Sequence, residues 1–256
     1  MIRPEENFEG TWPYSPKFFD GAGFKMHYID ENSSCGDEVF VCVHGQPTWG
    51  YLYRNIIPSL KRVGRVIVAD HMGFGKSETP SNARYTIEEH CNNLEALVLE
   101  LDLKNINLVL QDWGGPIGSS IAYRHPDRVK RLCVMNAVVG GRAKENKFSQ
   151  SSWSQWVTSE EFLPTVSNLN ATVLSVMKRI GFERTQHITE TWIRAYAAAF
   201  PTSQDCIGAI RFPQCISDRE TIEFLKSIRT QSAVSRIKEK PAIYVHGEAD
   251  RALPLD

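Results

Sequence analysis

The stretch Leu108-Val109-Leu110-Gln111-Asp112-Trp113-Gly114-Gly115-Pro116 decides how this chain folds. Its apolar opening, preceded by Asn105-Ile106-Asn107, reads as a buried strand, and a helix follows from Pro116 to Arg124, stopped by His125-Pro126. Asp112 stands between them. Taken alone it reads first as a helix N-cap rather than a reactive group, because Asp is among the best capping residues. Its neighbours change the balance. A strand, one polar residue and a Gly-Gly pair entering a helix have the shape of a nucleophile elbow, which lifts a side chain above the sheet. Leu110 departs from the small residue that the G-x-S-x-G pattern places there. An Asp at the elbow, instead of Ser or Cys, points away from serine-type hydrolysis. A carboxylate is already ionised at neutral pH and can displace a leaving group from saturated carbon without a base.

Outward from this stretch the same alternation continues. Val39-Phe40-Val41-Cys42-Val43, Val66-Ile67-Val68-Ala69, Leu132-Cys133-Val134-Met135 and Ala242-Ile243-Tyr244-Val245 are near-continuous apolar runs. Such runs suggest parallel strands covered on both faces. From Thr86, the residues Ile87, Cys91, Leu94, Val98 and Leu101 recur at helical spacing, with Thr86 as N-cap and Glu88 and Glu89 in the first turn, where the helix dipole favours them. Strands alternating with helices give an α/β parallel sheet. Ligands in such sheets bind beyond the carboxyl ends of the strands, which here carry His44-Gly45-Gln46-Pro47, Asp70, Gln111-Asp112, Asn136 and Asp250. Residues 140–220 break the rhythm: they are rich in Trp, Phe, Ser and Gln and hold no convincing buried strand. An insertion acting as a helical cap is expected there, with a core formed by 1–139 and 221–256.

Bulk composition narrows the class. Hydrophobic residues make up 42% and charged residues 23% of 256, with a net charge of −1. This is the profile of a folded globular protein, with no electrostatic case for nucleic acid or an anionic membrane. The six cysteines form no C-x-x-C pair, so a reduced chain is expected rather than a disulfide scaffold or zinc site. Met1-Ile2-Arg3-Pro4-Glu5-Glu6 has no apolar signal stretch, and no run approaches the ~20 apolar residues of a membrane span. A cytoplasmic, monomeric enzyme is the expectation.

Several blocks together resemble the haloalkane dehalogenases. They are His44-Gly45-Gln46-Pro47-Thr48-Trp49 with Tyr51-Leu52-Tyr53-Arg54, then Gly73-Phe74-Gly75-Lys76-Ser77, then Gln111-Asp112-Trp113-Gly114-Gly115. Tyr196-Ala197-Ala198-Ala199-Phe200-Pro201 and Arg211-Phe212-Pro213 resemble the end of that family's cap. The similarity runs from about Phe24 to Asp250 and implies an α/β-hydrolase fold, a mostly parallel sheet with a helical cap insertion. It also implies a two-stage reaction. Asp112 attacks the halogen-bearing carbon of a small hydrophobic substrate, forms an alkyl ester and expels halide; water then cleaves the ester. The Trp113 indole N–H, a donor with no acceptor role, would hold the halide. A second halide donor is implied, for which Gln46, Trp153 and Trp156 are open candidates, each tryptophan being as plausible a cap-core aromatic. Backbone N–H groups of Gln46 and Trp113 would form the oxyanion hole. Asp250 would be the acid that orients a base, since Asn136 at the sixth-strand position cannot be a carboxylate. No metal or organic cofactor is implied, and water is the co-substrate.

The resemblance also implies a histidine well after the acid, whereas the chain ends six residues past Asp250. None of its seven histidines takes that place. The sequence is therefore expected to be a fragment lacking the last strand and helix, with an open edge at the seventh strand, able to form the ester but stalled there. Two other readings stay open. An epoxide hydrolase shares the fold and the Asp nucleophile but usually has His where Gln111 stands, and needs cap tyrosines, of which Tyr196 is the obvious one. A hydrolase-fold binding protein without turnover is the other.

Overall fold

The computed structural model of the chain describes residues 2–32, 36–139, 152–169, 188–216, 218–250 and 253. Seven strands form one sheet: β1 (Lys17–Phe19), β2 (Met26–Glu31), β3 (Val39–Val43), β4 (Arg65–Ala69), β5 (Ile106–Asp112), β6 (Val129–Ala137) and β7 (Ala242–Val245). Their order is β1-β2-β4-β3-β5-β6-β7. The pairs β1/β2 and β2/β4 are antiparallel, and every pairing from β4 to β7 is parallel. The architecture is thus the expected α/β-hydrolase fold.

The four central parallel strands coincide with the apolar runs of the sequence, extended by a few residues at most. In β5, Leu108 and Leu110 are 0% exposed and Val109 5%. The fifth run differs. In β7, Ile243, Tyr244 and Val245 are 58%, 55% and 49% exposed, so the expectation of cover on both faces fails there, while the open edge expected at this strand is present among the described residues. The reason is position: β7 is the edge of the sheet among the described residues, paired only with β6. Strands β1 and β2 carry no apolar run to announce them. They are held partly by charge, Arg65 on β4 donating twice to Asp30, at 2.8 and 3.0 Å, while Lys17 reaches the same carboxylate at 2.8 Å.

Helix α1 (Ile57–Leu60) precedes β4, and α2 (Ile87–Glu100) and α3 (Gly114–Arg124) flank β5 in sequence. The predicted cap of α2 is present as a full capping box: Thr86 Oγ1 accepts from Glu89 N–H while the Glu89 carboxylate accepts from Thr86 N–H. Such a box satisfies two otherwise orphan donors. The buried face of α2 holds Ile87, Cys91, Leu94 and Val98 as expected, and adds His90 and Leu97. Helix α3 starts two residues earlier than its sequence pattern suggests, at the glycines themselves.

After β6, the described helices are α4 (Ser152–Val157), α5 (Phe162–Leu169), α6 (Glu190–Ala197), α7 (Ile207–Gln214), α8 (Arg219–Ile228) and α9 (Gln231–Lys238). No strand occurs among the described residues between β6 and β7. Both α4 and α5 pack on α7, whereas α8 packs on α2 and α3, and α9 on α3. The boundary expected at 220/221 falls within the first turn of α8, whose N-cap is Asp218. No described helix is long and apolar enough to cross a membrane.

The amino-terminal segment is tied to the core by a buried cation. Lys76, 1% exposed, donates through Nζ to the carbonyls of Pro4 at 2.6 Å and Glu6 at 2.7 Å. Burial pulls its ammonium below the ordinary lysine range.

Candidate active site

Strand β3 lies between β4 and β5, so the chain leaves β3 toward one side of the sheet and later returns on the other. Open α/β sheets bind ligands at such a reversal, beyond the strand carboxyl ends. The loop His44-Gly45-Gln46-Pro47 follows β3 there, beside Asp112 at the end of β5. The cradle has no room for larger residues. A Cβ on Gly45 would fall 2.3 Å from Asp112 Oδ1, and one on Gly114 only 1.9 Å from the Val43 carbonyl oxygen. A Cβ on Gly118 would meet Leu110 Cδ2 at 2.2 Å, so α3 sits directly on β5.

Asp112 has φ of 52°, the left-handed region that side chains other than glycine seldom adopt. This is the strained turn expected of an elbow. The Gln46 backbone N–H donates to Asp112 Oδ1 at 2.8 Å, and the Trp113 backbone N–H also bonds the carboxylate. Burial nevertheless dominates, helped by the negative charge of Asp250, and lifts the Asp112 carboxyl to about 6 despite those two donors. The loop carrying Gln46 is fixed from beneath. His71 N–H donates to His44 Nε2 at 2.9 Å, His44 Nδ1–H to the Gly45 carbonyl at 2.8 Å, and His71 Nε2–H to the His44 carbonyl at 2.8 Å. Burial pulls the pKa of both rings below the usual histidine range. Deeper still, Asp70 accepts from His27 Nδ1–H, Gly50 N–H and Lys76 N–H, each at 2.8 Å. His27, His44 and His71 are therefore framework residues.

Trp113 is half-buried, its indole stacked on Phe212 with centroids 5.7 Å apart and planes 11° from parallel. The Gln46 carboxamide donates through Nε2 to the Ala209 carbonyl at 3.0 Å, which engages one of its two amide hydrogens. Trp156, on α4, meets Phe162 edge-on with centroids 5.0 Å apart. The Trp153 side chain lies outside the described residues, as does His187.

At the end of the sheet, Asn136 does more than fill a vacant acid position. It has φ of 41°, its Nδ2–H donates to Asp250 Oδ2, and its Oδ1 accepts from Gly247 N–H at 3.2 Å. Leu253 N–H donates to Asp250 Oδ1 at 2.9 Å. A search of the sequence for a carboxylate passes over Asn136; the signal that finds it is its place at a strand end, where an amide can hold one. Phe212 is likewise visible in Arg211-Phe212-Pro213, but nothing in that triplet gives it a task. Tyr196, the tyrosine an epoxide reading needs, is 1% exposed, packed edge-on against Tyr51 at 5.5 Å and bonded to Arg54. No described histidine hydrogen-bonds Asp112, whose carboxylate partners are the two backbone N–H groups. Among the described residues, no group of three or more His, Cys, Asp or Glu is arranged to hold a metal.

Known proteins resemble the chain in both sequence and fold. The family model for the alpha/beta hydrolase fold matches residues 38–256. A haloalkane dehalogenase of Mycolicibacterium paratuberculosis is 30% identical, over 98% of this chain and 82% of the relative. A cis-3-alkyl-4-alkyloxetan-2-one decarboxylase of Shewanella oneidensis is 35% identical over 80% of the chain, which spans 63% of that protein's length. Among solved structures, a tetrameric haloalkane dehalogenase from Paraglaciecola agarilytica superposes with a TM-score of 0.76 at 30% identity, covering 98% of this chain and 93% of that one. Matched by the family model, by a 30% identical dehalogenase of which it covers 82% and by fold, the chain belongs to the haloalkane dehalogenase family of α/β-hydrolase proteins.

Proposed function

We propose that this protein hydrolyses carbon–halogen bonds of small haloalkanes, with Asp112 as the nucleophile that forms a covalent alkyl ester. The observation that carries the reading is the placement of Asp112: a carboxylate in a strained turn, held by the backbone N–H groups of Gln46 and Trp113. A carboxylate oxygen attacks the carbon bearing the halogen, and the carbon–halogen bond breaks as the carbon–oxygen bond forms. The departing halide is received by the Trp113 indole N–H and by the Gln46 amide hydrogen that Ala209 does not use. Trp156, on a helix packed against α7, is the further donor to test. When water attacks the ester, the same two backbone donors stabilise the oxyanion that develops.

Water needs a base, and Asp250 is the acid placed to orient one, steadied by Asn136 and by Leu253 N–H. With no described histidine on Asp112, ester cleavage is the slower half of the reaction in this reading, and the ester accumulates. A second reading is favoured by the 35% identity to the Shewanella decarboxylase. A carboxylate in this cradle can also attack C4 of a strained oxetan-2-one and break the ring C4–O bond; cleavage of the C3–carboxylate bond then releases carbon dioxide and forms the alkene as the Asp112 carboxylate leaves C4.

The deciding experiment is intact-mass analysis of the chain after incubation with a bromoalkane, beside Asp112→Asn. An alkyl adduct on the parent, absent from the variant, together with one bromide released per adduct, supports the first reading. No adduct and no bromide from folded protein, with alkene formed from a dialkyl oxetan-2-one, would replace it with the second.

A further inference from the structure

We propose that one face of α7 sets the geometry of halide capture, with Phe212 as the residue that positions the Trp113 indole. This deepens the reading above and rests on Trp113 being a halide donor. Ala209 and Phe212 are three residues apart on the helix and so share a face. The Ala209 carbonyl holds the Gln46 carboxamide at 3.0 Å, and the Phe212 ring backs the Trp113 indole in a near-parallel stack. Both donors are thus referenced to the same helix.

The reference is firm because the helix packs directly on the loop beneath it and the ring is enclosed. Gly208 brings α7 onto the loop after β4: a Cβ there would lie 3.0 Å from Phe74 Cε2 and 3.3 Å from the Gly73 carbonyl oxygen. Phe212 is fully buried and enclosed by other rings. It stacks on Phe74 at 5.0 Å and 25°, tilts against His90 at 4.4 Å, and meets His71 edge-on at 5.8 Å. Trp113 therefore lies against a surface fixed from behind by three further rings. An N–H donor aimed in advance spares the ordering cost that a loose side chain meets on binding. The amide of Gln46 is fixed likewise, since the hydrogen bonded to Ala209 sets the direction of the other.

Bromide titration of the full 256-residue chain, followed by tryptophan fluorescence, tests this. A saturable quench that Trp113→Phe removes reports halide at the indole. Phe212→Leu deletes the stack, and the bromide dissociation constant should rise about fivefold or more. Gly208→Ala leaves the ring in place but pushes the helix by a few tenths of an ångström, and should weaken bromide by a smaller factor. Val66→Ala, a buried change in β4, should lower the melting temperature yet leave the bromide constant within about twofold, which separates positioning from mere stability. Affinity unchanged within about twofold in folded Phe212→Leu overturns the proposal; should that variant not fold, unchanged affinity in Gly208→Ala does so. If the parent shows no saturable quench at all, the halide role of Trp113 itself fails, and this inference falls with it.

Discussion

Strands β5 and β7 each lead from an apolar run to an aspartate, and they could hardly be set more differently. The run in β5 is enclosed by neighbours on both edges and by α3, and its aspartate is gripped by main-chain donors in a strained turn. The run in β7 has one strand partner among the described residues, all four of its residues are exposed, and its aspartate is steadied by a side-chain amide. Composition makes both into strands; neighbours decide which is a platform. A nucleophile must be held to a fraction of an ångström, whereas an acid that acts through another group tolerates a looser seat. The division of labour proposed for the two aspartates matches that difference in support.

The sharpest way to break the comparison is chemical. Asp112→Asn should lower alkyl-ester formation by on the order of 10⁴-fold or more, whereas Asp250→Asn should leave that first step within about tenfold, both read by intact mass. Equal losses would mean that the two strand ends share one task. Stability should divide the same way. Leu110→Ala should cost about 2–5 kcal/mol in urea denaturation, because it leaves a cavity under the elbow. Ile243→Ala, at an open site, should cost less than about 1 kcal/mol.

A third test uses protons. Asp112 binds its proton more tightly folded than unfolded, its carboxyl standing at about 6 against an ordinary value near 4. Its ionisation therefore weakens the fold as pH rises from about 4 to about 6, by at most about 3 kcal/mol. Asp112→Asn should consequently stabilise the protein at pH 7 and lose that advantage at pH 4, while ester formation by the parent falls about tenfold per pH unit below 6. A melting temperature that is no higher in the variant at pH 7 would show that burial of this charge costs the fold nothing. The smallest effect is expected at Asn136. Asn136→Ala should cost about 1 kcal/mol and slow the decay of a pre-formed alkyl adduct, followed by intact mass after excess bromoalkane is removed, while adduct formation stays intact.

The sequence is most legible where burial is symmetrical. Strands covered on both faces become continuous apolar runs, so β3 to β6 can be read directly, and Thr86 with the acidic first turn marks the start of α2. Strands β1 and β2 escape because their sequences, Lys17-Phe18-Phe19 and Met26-His27-Tyr28-Ile29-Asp30-Glu31, mix charge with apolar residues, and the partner of the Asp30 carboxylate, Arg65, lies far along the chain. Within the site, Asp112, Trp113 and the Gln46 main chain are recognisable because they are local to two strand ends. The Gln46–Ala209 bond is not, since it ends on a main-chain carbonyl 163 residues away that no residue identity can announce. The Asn136–Asp250 bond, spanning 114 residues, hides for the same reason.

Lys76 carries one more consequence. An amine so enclosed, with hydrogens given to the Pro4 and Glu6 carbonyls, is shielded from acylating reagents for as long as the first residues stay docked. Its labelling is thus a clock for the release of that segment: the rate at which Lys76 becomes modified measures how often the amino-terminal strap lets go, while exposed lysines elsewhere on the surface react at once.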